Sequence, residues 1–177
     1  MTIPEVLLPR LRAIRLFLCD VDGVLTDGGV FMGAGGVEMK RFDIRDGLGL
    51  RLLQQAGVKV GWVSARPSSA TTERANDLKV DFLVQSPAPK IESIGTLLAQ
   101  AGFGWDATAY MGDDVIDLAP LRRARFAAAP ADAHPEARAS AQYVCSVDGG
   151  RGAVREVVEL ILRGQERWEA VVAKFAA

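Results

Sequence analysis

Short apolar runs alternate with amphipathic segments along almost the whole chain, and this alternation restricts the fold more than any other feature. Strands are predicted near Ile14–Asp20, Val58–Ser64, Phe82–Val84, Thr108–Gly112, Phe126–Ala128 and Tyr143–Val144. Helical spacing fits Gly47–Ala56, Ser69–Leu78, Lys90–Ala101, Val115–Ala124 and Gly152–Arg163. Strands that alternate with helices in this way build a parallel sheet with helices on both faces, a doubly wound α/β fold. Gly57, Gly102 and Gly112 stand where turns are needed. The pattern leaves strand order open.

One segment breaks the alternation. Gly28–Phe42 holds Val30-Phe31-Met32, then Gly33-Ala34-Gly35-Gly36, then Val37-Glu38-Met39-Lys40. It reads as a β-hairpin with a glycine-rich tip, inserted after the first strand and too short for a cap domain. Two readings stand level: an ordinary surface hairpin, or one whose apolar content packs against something, such as another subunit.

The first strand, Leu16-Phe17-Leu18-Cys19, runs into Asp20-Val21-Asp22-Gly23. Strand alternation points Asp20 and Asp22 to one side before the glycine breaks the strand, so both carboxylates crowd its carboxyl end, where α/β sheets place ligands. Like charges this close need a cation or a proton between them. A hard cation such as Mg²⁺, held through carboxylates and a substrate phosphate, meets that need. A calcium loop fits poorly, because Gly23 comes too early and Val24 replaces a ligand. Cys19 faces away from Asp20 and is expected in the core.

The 177 residues fit one domain spanning 1–177, and 49% hydrophobic content argues against disorder. A net charge of −1 without a dense Lys/Arg tract gives no reason to expect nucleic acid. Cys19 and Cys145 make no disulfide framework, which suits a reducing compartment. No apolar run approaches the roughly 20 residues that cross a bilayer, and the N-terminus has no basic stretch followed by an apolar one. A cytoplasmic location, away from membranes, is the expectation.

Asp20-Val21-Asp22-Gly23-Val24-Leu25-Thr26 resembles the first motif of the haloacid dehalogenase superfamily of phosphatases. Ser64 in Val60-Gly61-Trp62-Val63-Ser64-Ala65-Arg66, Lys90 opening a helix, and Gly112-Asp113-Asp114-Val115-Ile116-Asp117 follow in the order of that superfamily's later motifs. The resemblance implies a three-layer, Rossmann-like parallel sheet without a cap. It implies that Asp20 is a nucleophile forming an aspartyl-phosphate, and that Asp22 is the acid and then the base. It also implies that Ser64 donates to phosphoryl oxygens and that Lys90 offsets charge on Asp20 and the transferring group. Mg²⁺ would be held by Asp20, the backbone carbonyl of Asp22 and Asp113, with Asp114 and Asp117 bonding metal waters or orienting ligands. Taken singly these residues have plainer uses: Ser64 a strand-end hydroxyl, Lys90 a solvated helix residue, Asp113 and Asp114 caps, Asp117 a residue facing solvent.

Phe42-Asp43-Ile44-Arg45-Asp46-Gly47-Leu48-Gly49, Val84-Gln85 before Lys90, Asp132-Ala133-His134-Pro135 and Gly149-Gly150-Arg151-Gly152-Ala153-Val154-Arg155-Glu156 are similar to segments of the 3-deoxy-D-manno-octulosonate (KDO) 8-phosphate phosphatases. That branch implies a phosphatase for an eight-carbon sugar-acid phosphate on the route to lipopolysaccharide. It also implies a homotetramer in which hairpins form a central barrel and neighbours complete the active sites. Arg66 would bind the sugar carboxylate, with Arg45 and Arg151 as further candidates; Arg155 could instead pair with Glu159 one turn on. His134 is a rim residue or a helix-entry residue. The chain departs from the branch at Ser64-Ala65-Arg66, where Thr-Gly-Arg is usual, and at Gln85-Ser86-Pro87-Ala88-Pro89-Lys90, stiffened by two prolines. Those departures leave room for a nine-carbon or other sugar phosphate. A silent phosphate- or partner-binding member would be expected to lack an aspartate or the lysine. The tail, 164–177, spaces Trp168, Val171, Val172 and Phe175 as one helical face, expected to pack on the subunit's own sheet.

Overall fold

A computed structural model describes residues 3–175; the two residues at each end, including the last two of the tail, lie outside the described residues. Eight strands follow in chain order: β1 (Leu16–Cys19), β2 (Phe31–Met32), β3 (Glu38–Met39), β4 (Lys59–Ser64), β5 (Phe82–Gln85), β6 (Thr108–Met111), β7 (Phe126–Ala129) and β8 (Tyr143–Val144). Six of them form one parallel sheet in the order β5-β4-β1-β6-β7-β8. β1 lies at its centre, with Leu18 beside Gly61 of β4 and Tyr110 of β6. The chain builds outward from β1 to β5, then crosses back to β6 on the other side of β1. That reversal opens a crevice at the carboxyl ends of β1, β4 and β6.

Alternation along β1 divides the core. Phe17 and Cys19 pack with α1 (Leu8–Ala13), α2 (Ile44–Gln55), α3 (Ser69–Leu78) and α7 (Ala153–Gly164). Leu16 and Leu18 pack on the opposite face with α4 (Lys90–Ala101), α5 (Leu118–Arg123) and α6 (Pro135–Ser140). All four β1 residues are buried, as a strand covered on both faces must be.

The sequence expectations hold for the sheet and need correction at several helix ends. α2 starts at Ile44 rather than Gly47, because the Asp43 side chain caps it by accepting from the Arg45 amide at 2.7 Å. Val115–Ala124 is not one helix: a 3₁₀ turn at Val115–Asp117 precedes α5, closed by reciprocal capping between Asp114 and Asp117. α1 and α6 were not anticipated; at six residues each they are too short to show a period. The tail helix α8 (Trp168–Ala173) packs by only part of its expected face. Val171 is buried and Arg155 and Arg163 lie over Trp168, but Val172 and Phe175 are exposed.

Asp46 ties α2 to α7. Its buried carboxylate accepts from the Gly152 and Arg155 amides, at 3.3 and 2.7 Å, where the helix dipole favours an anion. Burial pushes that carboxyl up to about 6. β2 and β3 pair antiparallel as the expected hairpin. Arg41 anchors it by donating to the Gly150 carbonyl, and Phe42 stacks on Trp62 at 6.0 Å.

Candidate active site

Asp20 extends the central ladder by one residue, its amide donating to the Met111 carbonyl at 2.9 Å. The chain then coils tightly, with the Leu25 and Thr26 amides both returning to the Val21 carbonyl. Gly23 has φ +93°, and a Cβ there would lie 2.0 Å from a carboxylate oxygen of Asp113. Only glycine lets Asp113, on the loop after β6, approach the loop after β1 so closely. The same loop is braced from behind by Gly149, where a Cβ would meet the Gly23 carbonyl oxygen at 1.8 Å.

Lys90, at the start of α4, reaches under this loop. Its buried ammonium sits 2.8 Å from Oδ1 of Asp20 and 2.7 Å from Oδ1 of Asp117. Burial pulls the Lys90 pKa down, but Asp20 and Asp117 outweigh it and the net shift is up, so the group is a cation at any working pH. Asp117 is fully buried, so its plainer use, a residue facing solvent, does not apply. Its Oδ1 also accepts from the Tyr110 hydroxyl, and its Oδ2 accepts from the Asp113 and Asp114 amides at 3.2 and 3.3 Å. Burial, then the charge of Asp117, raises the Tyr110 pKa well above its ordinary value, keeping the phenol a donor.

Carboxylate oxygens of Asp20, Asp113 and Asp117 lie within 4.8 Å of one another. Asp117 has both oxygens engaged, whereas Oδ1 of Asp113 is buried without a hydrogen-bond partner. Burial, and next the charge of Asp20, push the Asp113 carboxyl up to about 8; burial lifts Asp20 to about 6 although Lys90 opposes it. Two crowded carboxylates that retain protons this strongly fit a small divalent cation. Asp114 is exposed, and its side chain caps the 3₁₀ turn by accepting from the Val115 amide at 2.7 Å.

A cleft of about 240 Å³ opens above Asp20, lined also by Asp22, Ser64, Arg66, Asp113 and Asp114. The Ser64 hydroxyl is buried and donates to the Arg66 carbonyl at 3.0 Å. The Arg66 guanidinium pairs with Glu38 at 2.5 Å and lies 4.0 Å from Asp22. Bonds from Arg66 and Ser68 hold Glu38 down at about 2, so this pair stays ionised.

No family model matches the chain. A curated KDO 8-phosphate phosphatase of Yersinia pestis is 41% identical over 160 residues, covering 90% of this chain and 86% of that protein. The Moraxella catarrhalis KDO 8-phosphate phosphatase, solved with a magnesium ion, a phosphate ion and a KDO molecule, superposes with a TM-score of 0.94 at 35% identity, covering 97% and 98% of the two chains. The cobalt-bound Haemophilus influenzae phosphatase gives a TM-score of 0.87 at 35% identity over 91% and 94%. The chain belongs to the KDO 8-phosphate phosphatase family.

Within this KDO 8-phosphate phosphatase family member, Asp20, Asp22, Ser64, Lys90, Asp113, Asp114 and Asp117 converge on one crevice, as their order along the sequence implies. Arg66 lines it. Arg45 and Arg151 do not: Arg45 pairs with Asp43 and donates to the Arg151 carbonyl, and Arg151 faces Asp27 at 3.9 Å. Arg155 pairs with Glu159 at 2.8 Å. His134 is a helix-entry residue, its Nδ1 accepting from the Glu136 amide at the start of α6. Ala65 is not strained, since the positive-φ non-glycine residues described are Lys79 and Glu166. Pro87 and Pro89 instead wall an adjoining cavity of about 310 Å³, which Ala65 shares. Sequence reasoning passed over Lys40, Glu38 and Tyr110. Lys40 and Glu38 carried a signal, being two apart in an extended hairpin arm and so facing one side.

Proposed function

We propose that the chain hydrolyses 3-deoxy-D-manno-octulosonate 8-phosphate to the free eight-carbon sugar acid and inorganic phosphate, with Mg²⁺, as a step towards lipopolysaccharide precursors. One observation carries the reading: the Asp20 carboxylate, paired with the buried Lys90 ammonium at 2.8 Å, faces a cleft that it shares with Asp22 and Asp113. An oxygen of Asp20 attacks phosphorus while the ester bond breaks and Asp22 gives a proton to the departing alkoxide. Asp22 then takes a proton from the water that hydrolyses the aspartyl-phosphate. Lys90 offsets charge on Asp20 and the transferring group, and the Ser64 hydroxyl turns from its backbone acceptor to a phosphoryl oxygen. Asp20, Asp113 and the Asp22 carbonyl would hold the cation, while Asp114 and Asp117 orient the loop. When bound, Mg²⁺ supplies positive charge against the phosphoryl oxygens. Arg66, with donors beyond those used by Glu38, takes the sugar carboxylate. The test is phosphate release from this ester, expected to stop with a chelator and return with Mg²⁺; release that ignores the chelator would contradict the reading.

Metal binding must expel protons. The carboxyls of Asp113 and Asp20 stand at about 8 and about 6, both above the ordinary carboxylate value. In the metal-free protein their contribution to stability is therefore full below about pH 4 and is lost as pH rises through 6 and 8. Mg²⁺ removes the repulsion that deprotonation exposes, so its stabilising effect should be larger at pH 8.5 than at pH 6. Calorimetric melting with and without Mg²⁺ at both values measures this; an equal or reversed effect would contradict it.

The same reading makes the chain a single domain, a homotetramer and a cytoplasmic enzyme. Support for assembly comes from the hairpin, where Phe31, Met32, Val37 and Met39 are all more than half exposed. Both cysteines are buried and unpaired, and no described helix is long and apolar enough to cross a membrane. Phe31→Glu with Met32→Glu should lower the mass seen by light scattering from that of four chains without unfolding the subunit.

A further inference from the structure

The hairpin does more than present an apolar face. Glu38 and Lys40, two residues apart, turn to the side away from solvent and pack against the subunit itself beside Asp22. The Lys40 side chain has 0% exposure. Its ammonium donates to Oδ2 of Asp22 at 2.9 Å and to Thr71 Oγ1 at 3.1 Å, lies 2.7 Å from Oδ1 of Asp22, and faces Glu38 at 3.7 Å. A buried cation with three donors is thus met by two carboxylates and a hydroxyl. Asp22, by contrast, is held by little else: its next charged neighbour, Arg66, is 4.0 Å away, and Oδ1 makes no aligned hydrogen bond.

We propose that Lys40 is a positioning residue for Asp22: it fixes the carboxyl group in the direction from which the leaving oxygen is protonated. Lys40 does not line the cleft above Asp20; its contact is with the Asp22 carboxylate, and it acts through that group. Because the residue arrives on the hairpin, the element that offers an apolar surface outside also sets the geometry of proton transfer inside. The proposal rests on Asp22 as the general acid, and its test separates the two claims.

The parameter kcat/KM covers steps through departure of the leaving group, so it reports protonation of that group and not later hydrolysis. Lys40→Met, Lys40→Arg, Asp22→Asn and the Lys40→Met/Asp22→Asn double variant are compared on two esters. One is the sugar phosphate, whose alkoxide must be protonated; the other is dinitrophenyl phosphate, whose phenolate leaves unaided. Lys40→Met should lower kcat/KM for the sugar phosphate on the order of 10²-fold more than for the aryl ester, the usual worth of a placed general acid. Lys40→Arg should recover part of the loss, and the double variant should be no worse than Asp22→Asn. Equal losses on both esters, or no loss, would overturn the proposal, since a merely structural lysine would affect both alike. If Asp22→Asn shows the selective loss and Lys40→Met does not, only Lys40's role falls. If Asp22→Asn shows none, the assignment of Asp22 falls and takes the proposal with it.

Discussion

Asp20→Asn is expected to lower turnover by at least about 10⁴-fold, because the amide cannot form the acyl phosphate on which both half-reactions depend. The substitution preserves size, and Lys90 keeps its bond to Asp117 at 2.7 Å. The fold should therefore survive. The direction of the stability change is itself informative. Burial pushes the Asp20 carboxyl up to about 6 even with Lys90 beside it. Above that pH the wild-type protein buries a charge at a cost, and asparagine removes it. Because Lys90 also loses one of its two carboxylates, the expected result is a pH trend: without metal, the variant's melting temperature relative to wild type should be higher at pH 8 than below pH 6. Turnover within tenfold of wild type would remove Asp20 from the mechanism. A large drop in melting temperature would show that the residue is structural first.

Asp117→Ala should be the more damaging change to the protein as a whole. Asp117 is fully buried and accepts from Lys90, from Tyr110 and from the backbone amides of Asp113 and Asp114. Alanine leaves the phenol without its acceptor and the ammonium with one carboxylate instead of two. Removing one partner from a buried charged network costs about 3–5 kcal/mol. The loop carrying Asp113 also loses its tie, so Mg²⁺ should bind more weakly. Asp117→Asn keeps an acceptor for part of this network and should lose less stability, yet still lower turnover because Lys90 is less firmly held. Denaturant melts of both variants, each with and without Mg²⁺, separate the two contributions. A change below 1 kcal/mol for alanine would show that the network adds little.

The sheet was legible because its signal is repeated: six apolar runs, most of them followed by a helical period. The acidic cluster at the end of β1 was legible because strand ends and glycines mark Asp20, Asp22 and Asp113. Asp117 was legible as a member of the acidic cluster, but its contacts with Lys90 and Tyr110 were not. Within a regular helix it would have been one exposed position among several, but the 3₁₀ turn at Val115–Asp117 rotates it inward beneath Lys90. Lys40 left little trace because a charge just past a short exposed strand looks solvated. Close approaches between distant segments, such as Gly149 on the carbonyl of Gly23, leave no trace in periodicity at all. Arg45 and Arg151 were candidates by sequence, yet they meet each other's neighbourhood rather than the cleft.

Substrate specificity is tested most directly by kcat/KM with Mg²⁺ for three esters side by side: 3-deoxy-D-manno-octulosonate 8-phosphate, a nine-carbon sugar-acid phosphate and a hexose phosphate. A clear preference for the eight-carbon acid is expected, one that Arg66→Ala erodes mainly through KM. Equal turnover of all three, or a preference for the hexose phosphate that Arg66→Ala leaves unchanged, would contradict it.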